Sequence, residues 1–117
     1  TTNMFGDILS DVAAYLVGCL GLLTIGNLGE RHALFEPVHG SAPDIAGKNL
    51  ANPIAALRSA SMLLMHRAND PESARLIETA INRVRARDIR TRDMGGMYGT
   101  IEFGNEIIRE LESLIRR

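Results

Sequence analysis

The chain is short of several things, and each shortage removes a class of function. Among its 117 residues there is one cysteine, Cys19, so no disulfide can close within the chain. A lone thiol in an apolar segment suits a reducing compartment, and a buried, inert thiol is the expected state. Charge of neither sign dominates: 13 Lys and Arg stand against 14 Asp and Glu, a formal net charge of −1 with the signs interspersed. That leaves no electrostatic ground for nucleic acid or an anionic membrane as a partner. No apolar run approaches the roughly 18 uninterrupted residues of a membrane helix, and no basic stretch leads an apolar one as in a secretion signal. The expectation is a soluble, cytoplasmic protein that binds neither nucleic acid nor membrane. Internal repeats and low-complexity tracts are also missing. Gly18 to Glu30, GCLGLLTIGNLGE, alternates glycine with Leu and Ile but has neither G-x-G-x-x-G nor a G-K-[ST] ending, so it reads as a tightly packed connector. Finally, TTNMFGDILSD lacks an initiator Met and runs almost at once into a helix pattern, so the chain is expected to start inside a longer polypeptide. Its length allows one lobe, residues 1–117, small for an enzyme with two substrates.

What is present is organised around Leu34 to Pro53, LFEPVHGSAPDIAGKNLANP. Leu34, Phe35 and Val38 can seat its start in a core. Gly40, Ser41, Pro43, Gly47 and Asn49 are turn formers, so His39 to Ala51 should run as an ordered surface loop. Ala42, Ile45, Ala46, Leu50 and Ala51 make it too apolar for a solvated linker. An ordered loop of about a dozen residues inside a compact domain is usually functional, so this one is expected to wrap a ligand. Glycines let backbone approach closely, and Asp44 is a carboxylate that can accept both hydroxyls of a ribose, the device by which nucleotide sites prefer a free 2′-hydroxyl. Asn52 can read an adenine edge. On pattern alone, packed or surface roles for His39 and Asp44 remain the simpler account.

A second pair of acids lies near the start. Phe5 and Gly6 read as a turn into a helix from about Asp7 to Val17, and Asp7 and Asp11 then share one face, one turn apart, near the positive end of the dipole. Like charges at this spacing repel by a few tenths of a kcal/mol (about 0.2–0.5) unless a cation lies between them. Two hard oxygen donors suit Mg²⁺ or Mn²⁺. On spacing alone, a capping Asp7 with a solvated Asp11 is the simpler account. Ile8, Leu9, Val12, Leu16 and Val17 make the other face of this helix wider than one core contact needs.

The remaining elements carry clear boundaries. Asn52 as N-cap and Pro53 at the first position open a helix to about Arg67, with Ile54, Leu57, Ser61, Leu64 and Met65 on one face and Ala55, Ala56 and Ala60 allowing close packing. Asp70, Pro71 and Glu72 repeat the signal for a helix to about Ala86, striped by Ile77, Ala80, Ile81 and Val84. Its Arg75, Arg83, Arg85 and Arg87 lie off that stripe with no aromatics interleaved, a solvated face. Asp88 to Gly99 is a second loop, and a last helix from about Thr100 to Ile115 is expected to bury Ile101, Ile107, Ile108, Leu111, Leu114 and Ile115, with Arg116 and Arg117 complementing its dipole. Thr1 to Asn3 are read as the end of a strand. His32 and Lys48 should face solvent, and the carboxylate of Glu36, bracketed by Phe35 and Pro37, must reach a polar group.

Two strings add a resemblance to this reading. FEPVHGSAPDIAGK followed by ANP closely resembles the coenzyme loop of the β-decarboxylating dehydrogenases, the family of isopropylmalate, isocitrate, homoisocitrate and tartrate dehydrogenases. NMFGDILSD resembles the second motif of the same family. The resemblance covers essentially the whole chain and implies a helix-rich, C-terminal fragment of an isopropylmalate-dehydrogenase-like α/β fold, with about four helices and one or two short strands. It implies that His39, Gly40, Ser41, Ala42, Pro43, Asp44 and Ile45 line the adenosine of NAD, that Asn52 contacts adenine, and that Asp44 holds the ribose where NADP-using relatives carry Lys followed by Tyr. By the same resemblance Asp7 and Asp11 bind Mg²⁺ or Mn²⁺, which is chelated by a hydroxy-diacid substrate, and the Asp7–Val17 helix packs on its twin in a homodimer or higher oligomer. Glu36 would approach the nicotinamide ribose, with a buried hydrogen bond to backbone as the alternative. Arg92 and Asp93 would touch the far side of the cofactor. The family's substrate arginines, catalytic tyrosine and lysine match nothing here, including Tyr15 and Tyr98, so the segment alone is expected to be inactive. GNLG and RTRDMGG lean towards the isocitrate and homoisocitrate branch. Two other classes fit the residues: a non-catalytic nucleotide-binding module, and a helical interaction protein.

Overall fold

In chain order the elements are helix α1 (Asn3–Val17), strand β1 (Thr24–Leu28), strand β2 (Ala33–Pro37), and helices α2 (Ile54–His66), α3 (Pro71–Ala86) and α4 (Thr100–Ile115). The structure, a computed structural model, describes residues 2–18 and 20–116. The thiol expectation at Cys19, the strand expectation at Thr1 and the dipole role of Arg117 therefore lie outside the described residues. Among the described residues, four α-helices and a two-stranded sheet make the helix-rich α/β arrangement expected from the sequence.

α3 shows most plainly why these residues form these elements. Pro71 at the first helical position has no N–H to leave orphaned, and Asp70 Oδ1 accepts from Ser73 N–H at 3.0 Å. The stripe that follows reaches the centre of the molecule: Ala80, Ile81 and Val84 are fully buried with Ile54 of α2 and Phe103 and Ile107 of α4, and Leu22 closes the cluster. The arginines off this stripe do more than meet water, since Arg83 pairs with Glu110 at 3.1 Å and Arg87 with Glu110 at 3.4 Å across the α3–α4 seam. Such partly exposed pairs fix register rather than add much stability.

The sheet corrects one expectation. Gly18 to Glu30 is not merely a connector: it contains β1, which pairs antiparallel with β2 in the register Thr24 opposite Pro37 to Leu28 opposite Ala33. Gly26 lies close under α2: a Cβ there would meet the tip of the Met62 side chain at 2.7 Å, which can swing aside, and press on the Phe35 ring at 3.3 Å. Thr24 Oγ1 bonds Ser59 Oγ at 2.6 Å, tying the hairpin to α2. Glu36 lies on the exposed side of β2, so the buried hydrogen bond considered for it is not formed.

Two other expectations change. α1 begins at Asn3, so Phe5 and Gly6 are helical, Thr2 is the extended N-cap residue, and no strand ends at Asn3. Met4 and Phe5 can occupy a first turn as readily as a turn before it, and a single glycine does not stop a helix. In α4 Phe103 and Ile107 are buried, while Ile101, Ile108 and Ile115 are 64%, 54% and 69% exposed. The helix touches its neighbours along one stripe, and these three, seven residues apart, form a second stripe outside it. Met65 is likewise exposed at the edge of α2.

Candidate functional site

The loop after β2 is a strap between two posts. It leaves the sheet where Val38 N–H donates to Leu23 O at 3.2 Å. Among the described residues, the hydrogen bonds of residues 39–48 stay within the strap: His39 Nδ1 with Gly40 O at 3.0 Å, Ile45 N–H to Ala42 O at 3.1 Å, Ala46 N–H to Pro43 O at 3.2 Å and Lys48 N–H to Ile45 O at 3.1 Å. They wind Pro43–Ile45 into a short 3-10 turn. Ala42, just before it, is left-handed at φ 44°, a conformation that a non-glycine residue reaches only at a cost of about 1–3 kcal/mol. Strain held in this way is common where a ligand is gripped.

Asp44 sits in that turn, exposed, and its carboxylate has no partner among the described residues. A free carboxylate on a hydrogen-bonded turn can receive a pair of ligand hydroxyls without first giving up a bond. Gly40, Ser41, Ala42 and Ala46 are exposed beside it, and Ile45 is half-buried. Ala42, Ala46 and Ala51 therefore do face water here, contrary to what the composition suggested, while Ile45 and Leu50 are half-buried. His32 and Lys48 are exposed as expected.

Asn52 closes the far end. α2 starts one residue later than expected, with Pro53 and not Asn52 as its N-cap residue, but Asn52 Oδ1 still accepts from Ile54 N–H at 3.0 Å, and its Nδ2 donates to Asp93 Oδ2 at 2.9 Å. One Nδ2 hydrogen is not used by these bonds, so an acceptor arriving there would meet an amide already held by two others. Asp93 in turn accepts from the hydroxyl of Thr91, which is fully buried. The second loop is thus joined to the first, and Asp93 supports Asn52 rather than standing apart from it.

Sequence reading missed the other post. Asn49, left-handed at φ 56°, accepts through Oδ1 from Ile101 N–H at 2.8 Å and donates through Nδ2 to Glu102 Oε2 at 2.9 Å. Its own carbonyl accepts from Thr100 N–H at 3.2 Å, and Thr100 Oγ1 donates to Ala51 O. The Asn49 amide holds the Glu102 carboxyl below its ordinary range. Only the turn propensity of G-K-N hinted at this role, because asparagine tolerates the left-handed region.

Asp7 and Asp11 lie on α1, both exposed and on one face. Asp7 is past the first turn, so it does not cap the helix. A two-carboxylate donor set open to solvent fits a divalent cation that keeps water and takes further oxygens from elsewhere. Among the described residues no group of three His, Cys, Asp or Glu gathers at metal-binding distance. Beside the two acids runs a face of Met4, Phe5, Ile8, Leu9, Val12 and Leu16, all more than half exposed. Clefts of about 470 and 460 Å³ lie elsewhere: one between Gly18, Arg85, Arg90 and Met94, the other between Lys48, Arg92, Tyr98 and Glu102. Neither is lined by Asp7, Asp11 or Asp44.

The family profile described as isocitrate/isopropylmalate dehydrogenase matches residues 1–107. A 3-isopropylmalate dehydrogenase of Methanothermobacter thermautotrophicus is 54% identical over 96% of this chain and 34% of its own length. An isocitrate/homoisocitrate dehydrogenase of Thermus thermophilus is 53% identical over 97% of the chain and 34% of its own length. Among solved structures, a β-decarboxylating dehydrogenase of Thermococcus kodakarensis superposes with a TM-score of 0.86 at 47% identity, covering 97% of this chain and 33% of its own. An isocitrate dehydrogenase of Methylococcus capsulatus gives 0.84 at 46%, covering 93% and 33%. The chain spans about a third of the length of the relatives it matches.

Proposed function

The chain belongs to the isocitrate/isopropylmalate dehydrogenase family, and from that membership we propose that residues 1–117 are the coenzyme- and metal-binding segment of an NAD-dependent β-decarboxylating dehydrogenase. The observation that carries the reading is the free carboxylate of Asp44 on the strap. It would accept the two hydroxyls of the adenosine ribose and reject a 2′-phosphate by charge. His39, Gly40, Ser41, Ala42, Pro43 and Ile45 would line the adenosine, and Asn52 would offer its remaining amide hydrogen to adenine. Asp7 and Asp11 would hold Mg²⁺ or Mn²⁺, with a 3-substituted malate supplying further oxygens.

The reaction this reading assigns to the full-length protein takes two steps. A hydride leaves C2 of the malate for NAD while the C2 hydroxyl loses its proton, giving a ketone and NADH. The bond from C3 to its carboxylate then breaks, releasing CO₂, and C3 takes up a proton. A bound divalent cation would supply Lewis-acid polarisation at the C2 oxygen. What this chain's own residues do is hold: Asp44 and Asn52 orient the coenzyme, and the two α1 carboxylates fix the hydroxy-acid end. The exposed apolar face of α1 favours a homodimer through that helix, and the isolated segment is expected to bind NAD weakly without turnover.

Calorimetric titration of the full-length protein with NAD tests the reading. Asp44→Ala should weaken binding about tenfold or more, the loss of a pair of charge-assisted hydrogen bonds. Unchanged affinity would remove it.

A further inference from the structure

We infer that Asn49 and Glu102 are positioning residues for the coenzyme segment, a latch that fixes where the turn carrying Asp44 stands; the inference rests on the NAD reading of that turn. The strap from 39 to 48 makes its hydrogen bonds only within itself among the described residues, so its position is set where it enters and leaves. The entry is Val38 on the sheet. At the exit the chain turns left-handed at Asn49, and all three polar groups that Asn49 can direct outward go to the start of α4: the carbonyl to Thr100 N–H, Oδ1 to Ile101 N–H and Nδ2 to Glu102 Oε2. These bonds join positions about fifty residues apart in sequence, so they hold tertiary structure and not a local turn.

The surroundings are shaped for this contact. Gly99 precedes α4 where the Asn49 amide crosses, and a Cβ there would strike both that amide and the Glu102 carboxylate. Asn49 thus satisfies two of the orphan N-terminal N–H groups of α4, that of Ile101 through Oδ1 and that of Thr100 through its backbone carbonyl, where the cap residue, a glycine, has no side chain to offer. Neither Asn49 nor Glu102 is among the residues assigned to contact with NAD. Their effect would be conformational: with the exit post released, the strap samples more positions, and the coenzyme must select the competent one from a smaller fraction. Apparent affinity for NAD falls by that fraction, while chemistry after binding is unchanged.

The pairing can be broken and restored without altering the backbone. Asn49→Asp tolerates the left-handed conformation and keeps the acceptor for Ile101, but faces a carboxylate with a carboxylate. Adding Glu102→Gln returns a donor to that contact with the roles exchanged. In the full-length enzyme, assayed with NAD as the varied substrate and isopropylmalate or isocitrate at saturation, Asn49→Asp should raise the KM for NAD about tenfold with kcat within about twofold. Asn49→Asp/Glu102→Gln should bring the KM back to within about threefold of the parent. Asn49→Gly keeps the backbone and removes the amide, and should match the single Asp variant in its dissociation constant for ADP-ribose. An Asn49→Asp KM within twofold of the parent, or a double variant no better than the single one, overturns the proposal. Asp44→Ala serves as the control: an unchanged KM there overturns the NAD reading and this inference together, whereas a raised KM there with an unchanged one in Asn49→Asp overturns the latch alone.

Discussion

α1 and α3 are helices of nearly equal length, 15 and 16 residues, with opposite fates. α3 is the more polar of the two and yet buries Ala74, Ala80, Ile81 and Val84 completely or nearly so, because α2 and α4 lie against it. α1 is the more apolar and leaves Met4, Phe5, Ile8, Leu9, Val12 and Leu16 in water, meeting the rest of the chain mainly at the 20–22 turn. Burial therefore follows the supply of partners more than the count of apolar residues. An uncovered apolar face of this size is characteristic of an interaction surface, whereas α3 belongs to a core that these residues complete themselves.

If that contrast is right, truncating the core is the most damaging change. Phe103→Ala should destabilise the protein by about 3–5 kcal/mol, read as a fall in the denaturant midpoint, since the ring is fully buried in the cluster with Ile54, Ile81, Val84 and Ile107. Leu9→Asp should act on the other side of the comparison: the midpoint of a protomer changes little, but a homodimer joined through α1 should dissociate at micromolar concentration in sedimentation velocity. A dimer that survives the charge would place its interface elsewhere. Smaller still is the expected exchange of coenzyme preference in Asp44→Lys with Ile45→Tyr, where removing the carboxylate and adding a cation should raise the ratio of NADP to NAD affinity by about tenfold or more. Steady-state kinetics with the two coenzymes measures it.

The smallest effect is acid sensitivity at the α3 cap. The Ser73 side-chain and backbone hydrogen bonds hold the Asp70 carboxyl below its ordinary value of 3.8. A carboxyl lowered in the folded state contributes stability that is complete above 3.8 and is lost as pH falls through the lower folded value. Asp70→Asn keeps a capping oxygen without the charge, so its midpoint should differ from the parent above that range and converge with it below.

These outcomes bear unequally on what could be read from the residues. α3 and α4 were legible because their signals are local: a cap with a proline at one, and for both a stripe at helical spacing with the same bounds in the structure. β1 was not, because the glycine-spaced stretch around it looks like a connector until Leu28 is set opposite Ala33 and Gly26 against Met62. The start of α1 was misplaced by weighting Gly6 as a turn. At the site, the strap and its free Asp44 follow from turn formers and a resemblance, but its fastenings do not. Asn49 finds Glu102, and Asn52 finds Asp93, across separations that no periodicity spans. The width of α4 was over-read for the opposite reason, since Ile101, Ile108 and Ile115 look like core until a neighbour is found to be missing on that side.

Suspending the strap between Val38 and Asn49 has a further consequence. Because the intervening ten residues bond to one another and not to the scaffold among the described residues, they form an exchangeable cassette. If the proposed NAD reading holds, selection could rewrite residues of this segment, including the acid at 44, without retuning the helices that carry it. On that reading, a library confined to positions 39–48 would alter nucleotide preference while leaving thermal tolerance nearly flat, a separation of taste from durability.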